Sequence, residues 1–112
     1  MPNQSPALDD VFKALADPTR RAVLERLNEG PASMTDLAQP FSMALPSFLQ
    51  HLNMLERCDL VRSQKQGRVR TYRLSPKPFH TVEHWLDRQR TLWERRLDQL
   101  DAHLKTMKED DA

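Results

Sequence analysis

The stretch that decides the fold is SMALPSFLQHLNMLERCDLV, residues 42–61. Its apolar residues recur every three or four positions, which predicts an amphipathic helix over about 45–57. The core candidates on its apolar face are Leu45, Phe48, Leu49, Leu52 and Leu55. The opposite face carries short hydrogen-bonding groups and hardly any acid, so its role needs an explanation beyond contact with water. The members of that polar face are Ser47, Gln50, His51, Met54 and Arg57.

The segments before this stretch predict three further helices. The first spans about 8–15, and the second begins at Asp17, which can cap the free amides, with Pro18 suited to the first helical position. A short helix follows from a capping box at Ser33 and ends at Pro40. A short helix, a tight turn and a longer helix with a polar outer face together predict a helix-turn-helix.

A basic β-hairpin is predicted directly after the longer helix. The run LVRSQKQGRVRTYRLS, residues 60–75, is rich in strand-forming residues, and Gln66-Gly67 indicates the reversal. Six Lys or Arg lie between Arg57 and Arg73 against one acid, although the net charge of the whole chain is only +1. This concentration of charge predicts a local contact with a polyanion. The hairpin candidates for that contact are Lys65, Gln66, Arg68 and Arg70.

A helix-turn-helix with a basic wing has a direct physical use in binding double-stranded DNA. The major groove accepts one helix, whose short donors and acceptors can reach base edges. Arginines on the hairpin can reach flanking phosphates or the minor groove. We therefore predict base-edge contacts for Ser47 and Gln50, whereas His51 either touches a phosphate or braces the turn.

One long helix is predicted over 77–108. Its apolar positions follow a repeat of four and three residues from Trp93 to Met107, which is typical of a helix that packs along another helix. Beyond it, the residues at 109–111 are all acidic. We expect a single domain over 1–112, with a flexible start at 1–7 and an acidic tail at 109–112.

The words FKALADPTRRAVLERL, LPSFLQHLNMLE and LVRSQKQGRVRTYRL, in this order, resemble the ArsR-type (ArsR/SmtB) winged-helix transcriptional regulators over about 11–104. The resemblance implies a homodimeric repressor that binds a pseudo-palindromic operator and dimerises through its first and last helices. With the tryptophans of the last helix, these words look like the branch that lacks a metal site. The implied interface residues are Leu8, Val11, Phe12, Leu86, Trp93, Leu97, Leu100 and Leu104.

Three positions depart from the family pattern. Ala44 occupies the place of a common capping Ser, which costs about 1 kcal/mol of helix stability unless Ser42 substitutes for it. Leu49 lies where a Ser often contacts DNA, and Asp59 replaces a common Gly. Asp59 can adopt the left-handed backbone that follows a helix, though at greater cost than Gly. These departures leave the fold intact and make the operator sequence less transferable.

Alternative functions start from other side chains. His80 and His84 lie four apart on one helix face, as half of a zinc site that a dimer could complete, and Cys58 is a candidate redox sensor. A winged-helix module that binds a protein partner without specific DNA binding is a further alternative. Neither a nucleophile elbow nor a glycine-rich phosphate loop is present, so we expect no enzyme. We expect no cofactor, and the sequence does not identify an inducer.

The remaining sequence features concern the cellular compartment. A single cysteine excludes a disulfide within the chain, and the first ten residues lack the basic and apolar regions of a secretion signal. No apolar run approaches the length of a membrane span of roughly 18 residues. We therefore expect a cytoplasmic protein without membrane contact.

Overall fold

The computed structural model describes residues 6–110. Within that range, five helices accompany one antiparallel sheet of three strands. The helices are α1 (Pro6–Leu15), α2 (Pro18–Leu27), α3 (Met34–Ala38), α4 (Leu45–Arg57) and α5 (Lys77–Asp110). The strands are β1 (Ala32–Ser33), β2 (Val61–Gln66) and β3 (Val69–Leu74). The predicted fold class, mainly α with a β-hairpin wing behind a helix-turn-helix, is confirmed.

The chain divides into two units, the first ending at Thr81 and the second beginning at Val82. The helix-turn-helix and the wing lie in the first unit, and most of α5 forms the second. A single domain over 1–112 stays a prediction. The predicted flexible start at 1–7 overlaps α1, which begins at Pro6, while residues 1–5 and 111–112 lie outside the described range.

Side-chain caps begin the helices at the positions that the sequence predicts. The Asp17 carboxylate accepts a hydrogen bond from the Arg20 amide at 3.1 Å, and the Ser33 hydroxyl accepts one from the Asp36 amide at 3.1 Å. Ala44 precedes α4 without any side-chain cap, so Ser42 does not substitute for the missing hydroxyl. Each cap satisfies an amide that has no partner within its own helix.

The wing is a hairpin of β2 and β3 joined by a two-residue turn. Gly67 has a φ of 63°, which glycine adopts at little cost, and Arg68 is the second turn residue. The reversal therefore lies one residue later than predicted, and Arg68 belongs to the turn. Asp59 has a φ of 62°, so the left-handed backbone predicted for the junction of α4 and β2 is confirmed.

A strand that the sequence analysis missed completes the sheet. β1 pairs antiparallel with β3, with Ala32 opposite Tyr72, so the sheet order is β1-β3-β2. A strand of two residues has no periodicity to detect, which explains the omission. Because β1 directly precedes α3, this pairing fixes the start of the helix-turn-helix against the wing.

The core of the first unit forms where α4 packs against α2 and β2. Phe48, Leu52 and Leu55 are each at most 1% exposed, as predicted for the apolar face of α4. The prediction was wrong for Leu45, which is 47% exposed, and Leu49 is only half-buried. Periodicity assigned both to the apolar face, but burial depends on which positions a neighbouring element covers.

Two residues expected at the dimer interface are already buried within one chain. Leu8 is 9% exposed and Val11 is 2% exposed. Their burial within one chain leaves little surface for a partner, and their place in a dimer interface stays a prediction. Phe12, one residue after Val11, keeps 38% of its surface exposed.

Candidate nucleic-acid interface

The outer face of α4 presents a continuous polar stripe. Ser47, Gln50 and Arg57 are exposed, and their spacing of three and seven residues places them along one side of the helix. Asn53 is also exposed, three residues after Gln50, and belongs to the same stripe. Asn53 was not predicted as a site residue, although its helical spacing from Gln50 is the signal that identifies it.

Met54 shares the side of α4 that carries this stripe but is not fully exposed, and Cys58 follows the last residue of the helix. Met54 is half-buried and lines a small hollow with Asp10, Arg57 and Cys58. The Cys58 thiol lies 3.4 Å from the Asp10 carbonyl oxygen, and burial, reinforced by the charge of Asp10, raises the pKa of the Cys58 thiol. A raised pKa lowers the thiolate fraction that a redox sensor would need at neutral pH.

His51 is held by side chains of α2 and its cap. Its Nδ1 atom lies 3.0 Å from Arg20 Nη1 and 3.8 Å from Asp17 Oδ2, and its side chain is 22% exposed. A guanidinium only donates hydrogen bonds, so Nδ1 must accept here, and the proton of neutral His51 is on Nε2. This geometry holds His51 of α4 against the start of α2, and both predicted roles of His51, a phosphate contact and a brace for the turn, stay predictions.

Arg20, on α2, contacts both α1 and α4. Besides its contact with His51, it donates from Nε to the Ala14 carbonyl at 2.8 Å and from Nη2 to the Lys13 carbonyl at 2.9 Å. These bonds satisfy carbonyls at the end of α1 that lack partners within the helix. No local pattern in the sequence identifies this role of Arg20, because its partners lie 6, 7 and 31 residues away along the chain.

The Asp17 carboxylate is the acidic member of the same cluster. Burial raises the pKa of Asp17. The hydrogen bonds from the Arg20 and Thr19 amides and the charges of His51 and Arg20 lower the pKa by more than burial raises it, so the pKa lies below its ordinary value. Asp17 therefore stays ionised at neutral pH. Asp17 caps the start of α2, and there the guanidinium of Arg20 holds the ring of His51 and hence α4.

A hydrogen-bonded chain connects the wing to α4. Arg70 Nη1 donates to Ser63 Oγ at 2.8 Å, and that hydroxyl donates to Glu56 Oε2 at 2.7 Å. Arg70 also lies opposite Lys65 in the hairpin register. Glu56 and Ser63 had not been predicted as site residues, and they orient Arg70 beside the helix that carries the polar stripe.

The tip of the wing keeps its cations available. Lys65, Gln66 and Arg68 are exposed, and across residues 6–110 neither Lys65 nor Arg68 forms an ion pair. Arg57 adds a further exposed cation at the end of α4. Such an arrangement suits a helix in the major groove with cations on the flanking phosphates.

The histidines considered for a metal site are both exposed on α5. Among residues 6–110, no group of three or more His, Cys, Asp or Glu side chains is placed to hold a metal ion within one chain. His80 lies in the first unit and His84 in the second. A shared site for His80 and His84 stays an untested alternative.

The second unit exposes large apolar side chains along α5. Five predicted interface residues are between 51% and 64% exposed, a high value for side chains of this size. They are Leu86, Trp93, Leu97, Leu100 and Leu104. Leu92 and Met107 are exposed to a similar degree. Across residues 6–110, every helix is too short or too polar to traverse a lipid bilayer.

Known proteins are similar to this chain in both sequence and fold. A family model for a helix-turn-helix domain matches residues 15–64. Transcriptional repressor SdpR of Bacillus subtilis is 32% identical over 79 residues, covering 70% of this chain and 88% of SdpR. HTH-type transcriptional regulator Rv2034 of Mycobacterium tuberculosis is 38% identical, covering 80% of each chain. The crystal structure of an ArsR family transcriptional regulator, RHA00566, matches with a TM-score of 0.78 at 55% identity, over 81% of this chain and 95% of that chain.

Proposed function

Because the chain belongs to the ArsR family of helix-turn-helix transcriptional regulators, we propose that it is a homodimeric repressor that binds a pseudo-palindromic DNA operator in the cytoplasm. The observation that carries this proposal is the exposed polar stripe of α4 beside a wing whose tip cations are free of ion pairs. Similarity to a protein named as a transcriptional repressor supports the direction of the effect.

In this proposal α4 enters the major groove and reads the operator. Ser47, Gln50 and Asn53 offer hydroxyl and amide groups of the kind that form hydrogen bonds with base edges, and an amide suits the paired donor and acceptor of adenine. His51 offers the N–H of Nε2, a donor that suits a phosphate oxygen. Because the Arg20 guanidinium holds the His51 ring, this donor is already oriented before DNA binds.

The wing and the end of α4 neutralise backbone phosphates. Lys65, Arg68 and Arg57 are exposed cations, and Arg70 is oriented beside α4 by Ser63. Neutralised phosphates release condensed counterions, so we expect the affinity to fall steeply as salt rises. These contacts set the position of the protein on DNA without reading its sequence.

Dimerisation supplies two copies of this reading surface. The exposed apolar side chains of α5 recur at the spacing of a helix that packs along a partner helix. Two α4 helices related by a twofold axis then address half-sites separated by about 34 Å, or by a small multiple of that distance. The interface that we propose contains Leu86, Trp93, Leu97, Leu100 and Leu104, with Phe12 from α1.

Selection of binding sites from a random duplex library tests this function. Purified full-length protein should enrich an inverted repeat at moderate salt, and a gel-shift assay with that repeat should show one shifted species. A scrambled duplex of the same composition serves as the control. Enrichment of no preferred duplex, or equal affinity for the scrambled one, would refute sequence-specific regulation.

A further inference from the structure

A pocket outside the proposed DNA-reading surface lies at the base of the wing. It is lined by the ends of β2 and β3, by the connection that follows and by the first turn of α5, all within the first unit. Its volume is about 430 Å³, within the range of small-molecule sites. Its lining residues are Arg62, Arg73, Leu74, Ser75, Pro76, Lys77 and His80.

The pocket concentrates positive charge. Arg62 lies directly opposite Arg73 in the hairpin register, and like charges at such positions repel one another. Lys77 contributes a third cation from the start of α5. Among residues 6–110, the one ion pair of these three cations joins Arg62 Nε to Asp59 Oδ1 at 3.4 Å. Three cations against one carboxylate leave an excess of two positive charges, which a dianion would balance.

The first turn of α5 adds a favourable dipole to the same place. It contains no acidic residue, although the positive end of a helix dipole attracts negative charge. Pro76 immediately precedes the helix and has no side-chain oxygen to cap the first amides, which belong to Lys77 and Phe79 because Pro78 has no N–H and the His80 amide donates to the Pro76 carbonyl. A phosphate oxygen is a ligand that helix N-termini bind through such amides.

Ser75 provides a second observation, independent of the helix terminus. It is only 5% exposed and lines the pocket, and its hydroxyl has no hydrogen-bond partner among residues 6–110. No fully enclosed side-chain oxygen or nitrogen in that range lacks a partner, so the Ser75 hydroxyl reaches solvent. Because Ser75 lines the pocket, its hydroxyl is available to a ligand bound there.

The opposite faces of the hairpin separate this pocket from the cations at the wing tip. Successive residues of a strand point to opposite faces, so Arg62 and Arg73 lie on one face, and Lys65 and Arg70 lie on the other. Arg62 is also four residues from the end of β2, about 13 Å along the strand. A DNA phosphate held by Lys65 and Arg70 is therefore not the anion that Arg62 and Arg73 address.

We propose that this pocket binds the phosphate group of a small molecule. The two guanidinium groups bind phosphate oxygens through paired N–H donors, as planar guanidinium groups do in proteins. Lys77 and the Ser75 hydroxyl supply further donors, and the volume leaves room for an organic part of the ligand. The site links the wing to α5 within one chain, and its binding step does not require DNA.

Titration of isotope-labelled full-length protein with inorganic phosphate tests the proposal by NMR at constant ionic strength. We expect saturable shifts confined to the amides of the pocket, with pyrophosphate binding more tightly than phosphate. Arg73→Gln should weaken the apparent affinity for phosphate at least tenfold. Arg26→Gln is the matched control. It removes the same charge from α2, where exposed Arg26 pairs with Glu29, and this variant should bind phosphate like the wild type.

The second arm of the experiment separates a small-molecule phosphate from a DNA phosphate. Lys77→Gln provides a further variant in case Arg73→Gln unfolds, and circular dichroism monitors folding of both. Both variants should retain operator affinity within about twofold. Shifts that spread equally to the wing tip, an unchanged affinity for phosphate in the variants, or lost operator binding without any phosphate binding would each overturn the proposal.

Discussion

Asp17 is a single residue whose charge stabilises the start of α2. Its pKa is lowered in the folded chain, so ionised Asp17 stabilises the fold above the unfolded-state pKa of about 3.9. That contribution is lost as pH falls through the lower folded-state value. Asp17→Asn keeps a capping side chain but removes the charge that faces His51 and Arg20.

We therefore predict that Asp17→Asn lowers the free energy of unfolding by about 0.5–1 kcal/mol at pH 7. The difference from the wild type should narrow below about pH 4. Urea denaturation at several pH values measures both. Asp98→Asn, at an exposed position of α5, is the control and should change stability little at any pH. A difference for Asp17→Asn that is independent of pH would contradict this account.

Gln50 is the residue for which we expect the largest effect on sequence discrimination. Its amide is exposed at the middle of the polar stripe, where it can pair with a base edge. Gln50→Ala should reduce discrimination against mismatches at one operator position by about 1–3 kcal/mol, with little change in the salt dependence. Competition gel shifts with single-base operator variants measure this, and equal discrimination before and after substitution would remove Gln50 from the reading surface.

At the scale of elements, α4 begins without a side-chain cap. Ala44 has the extended backbone of a capping residue but no side-chain oxygen to accept from the first amides of the helix. Ala44→Ser should raise the free energy of unfolding by about 1 kcal/mol. Ser33→Ala, which removes the existing cap of α3, should lower it by a similar amount. Urea denaturation of both variants measures the pair, and a neutral Ala44→Ser would show that water already satisfies those amides.

The wing as an element acts through charge, so its contribution is visible in salt dependence. Arg68 lies in the hairpin turn, exposed and without an ion pair among residues 6–110. Arg68→Ala should weaken binding to all duplexes alike and reduce the slope of log affinity against log salt by about 1. Gln64→Ala, exposed on the same hairpin, is the uncharged control. A salt slope equal to that of the wild type would place Arg68 away from the DNA backbone.

At the scale of the whole molecule, the second unit presents the apolar surface that the proposed dimer would cover. The exposed apolar residues from Trp93 to Met107 recur at four and three residues, and complete burial of such a side chain contributes at most about 1.5–3 kcal/mol. Leu100→Glu should therefore dissociate the dimer and reduce operator affinity by at least tenfold. Gln99→Glu introduces the same charge at the adjacent exposed position and should remain dimeric. Sedimentation equilibrium gives the mass, and a dimeric Leu100→Glu would show that the two chains associate elsewhere.

The sequence alone determined the features that depend on neighbouring residues. The caps at Asp17 and Ser33 and the left-handed backbone at Asp59 follow from side chains close to the amides or turns that they serve. The helical repeat of apolar residues in α4 and the strand-forming residues of the hairpin are likewise visible in the order of neighbouring residues. These features were sufficient to predict the fold class and the polar stripe on α4.

Only the tertiary structure decided which apolar positions are covered and which distant polar groups meet. Leu45 is exposed although its spacing predicts burial, and Val11 is buried although it was expected at an interface. Arg20 contacts His51, 31 residues away, and Arg62 lies opposite Arg73 in the hairpin register. Spacing identifies the face of an element, but burial and long-range pairing depend on how the elements pack against one another, which no local pattern encodes.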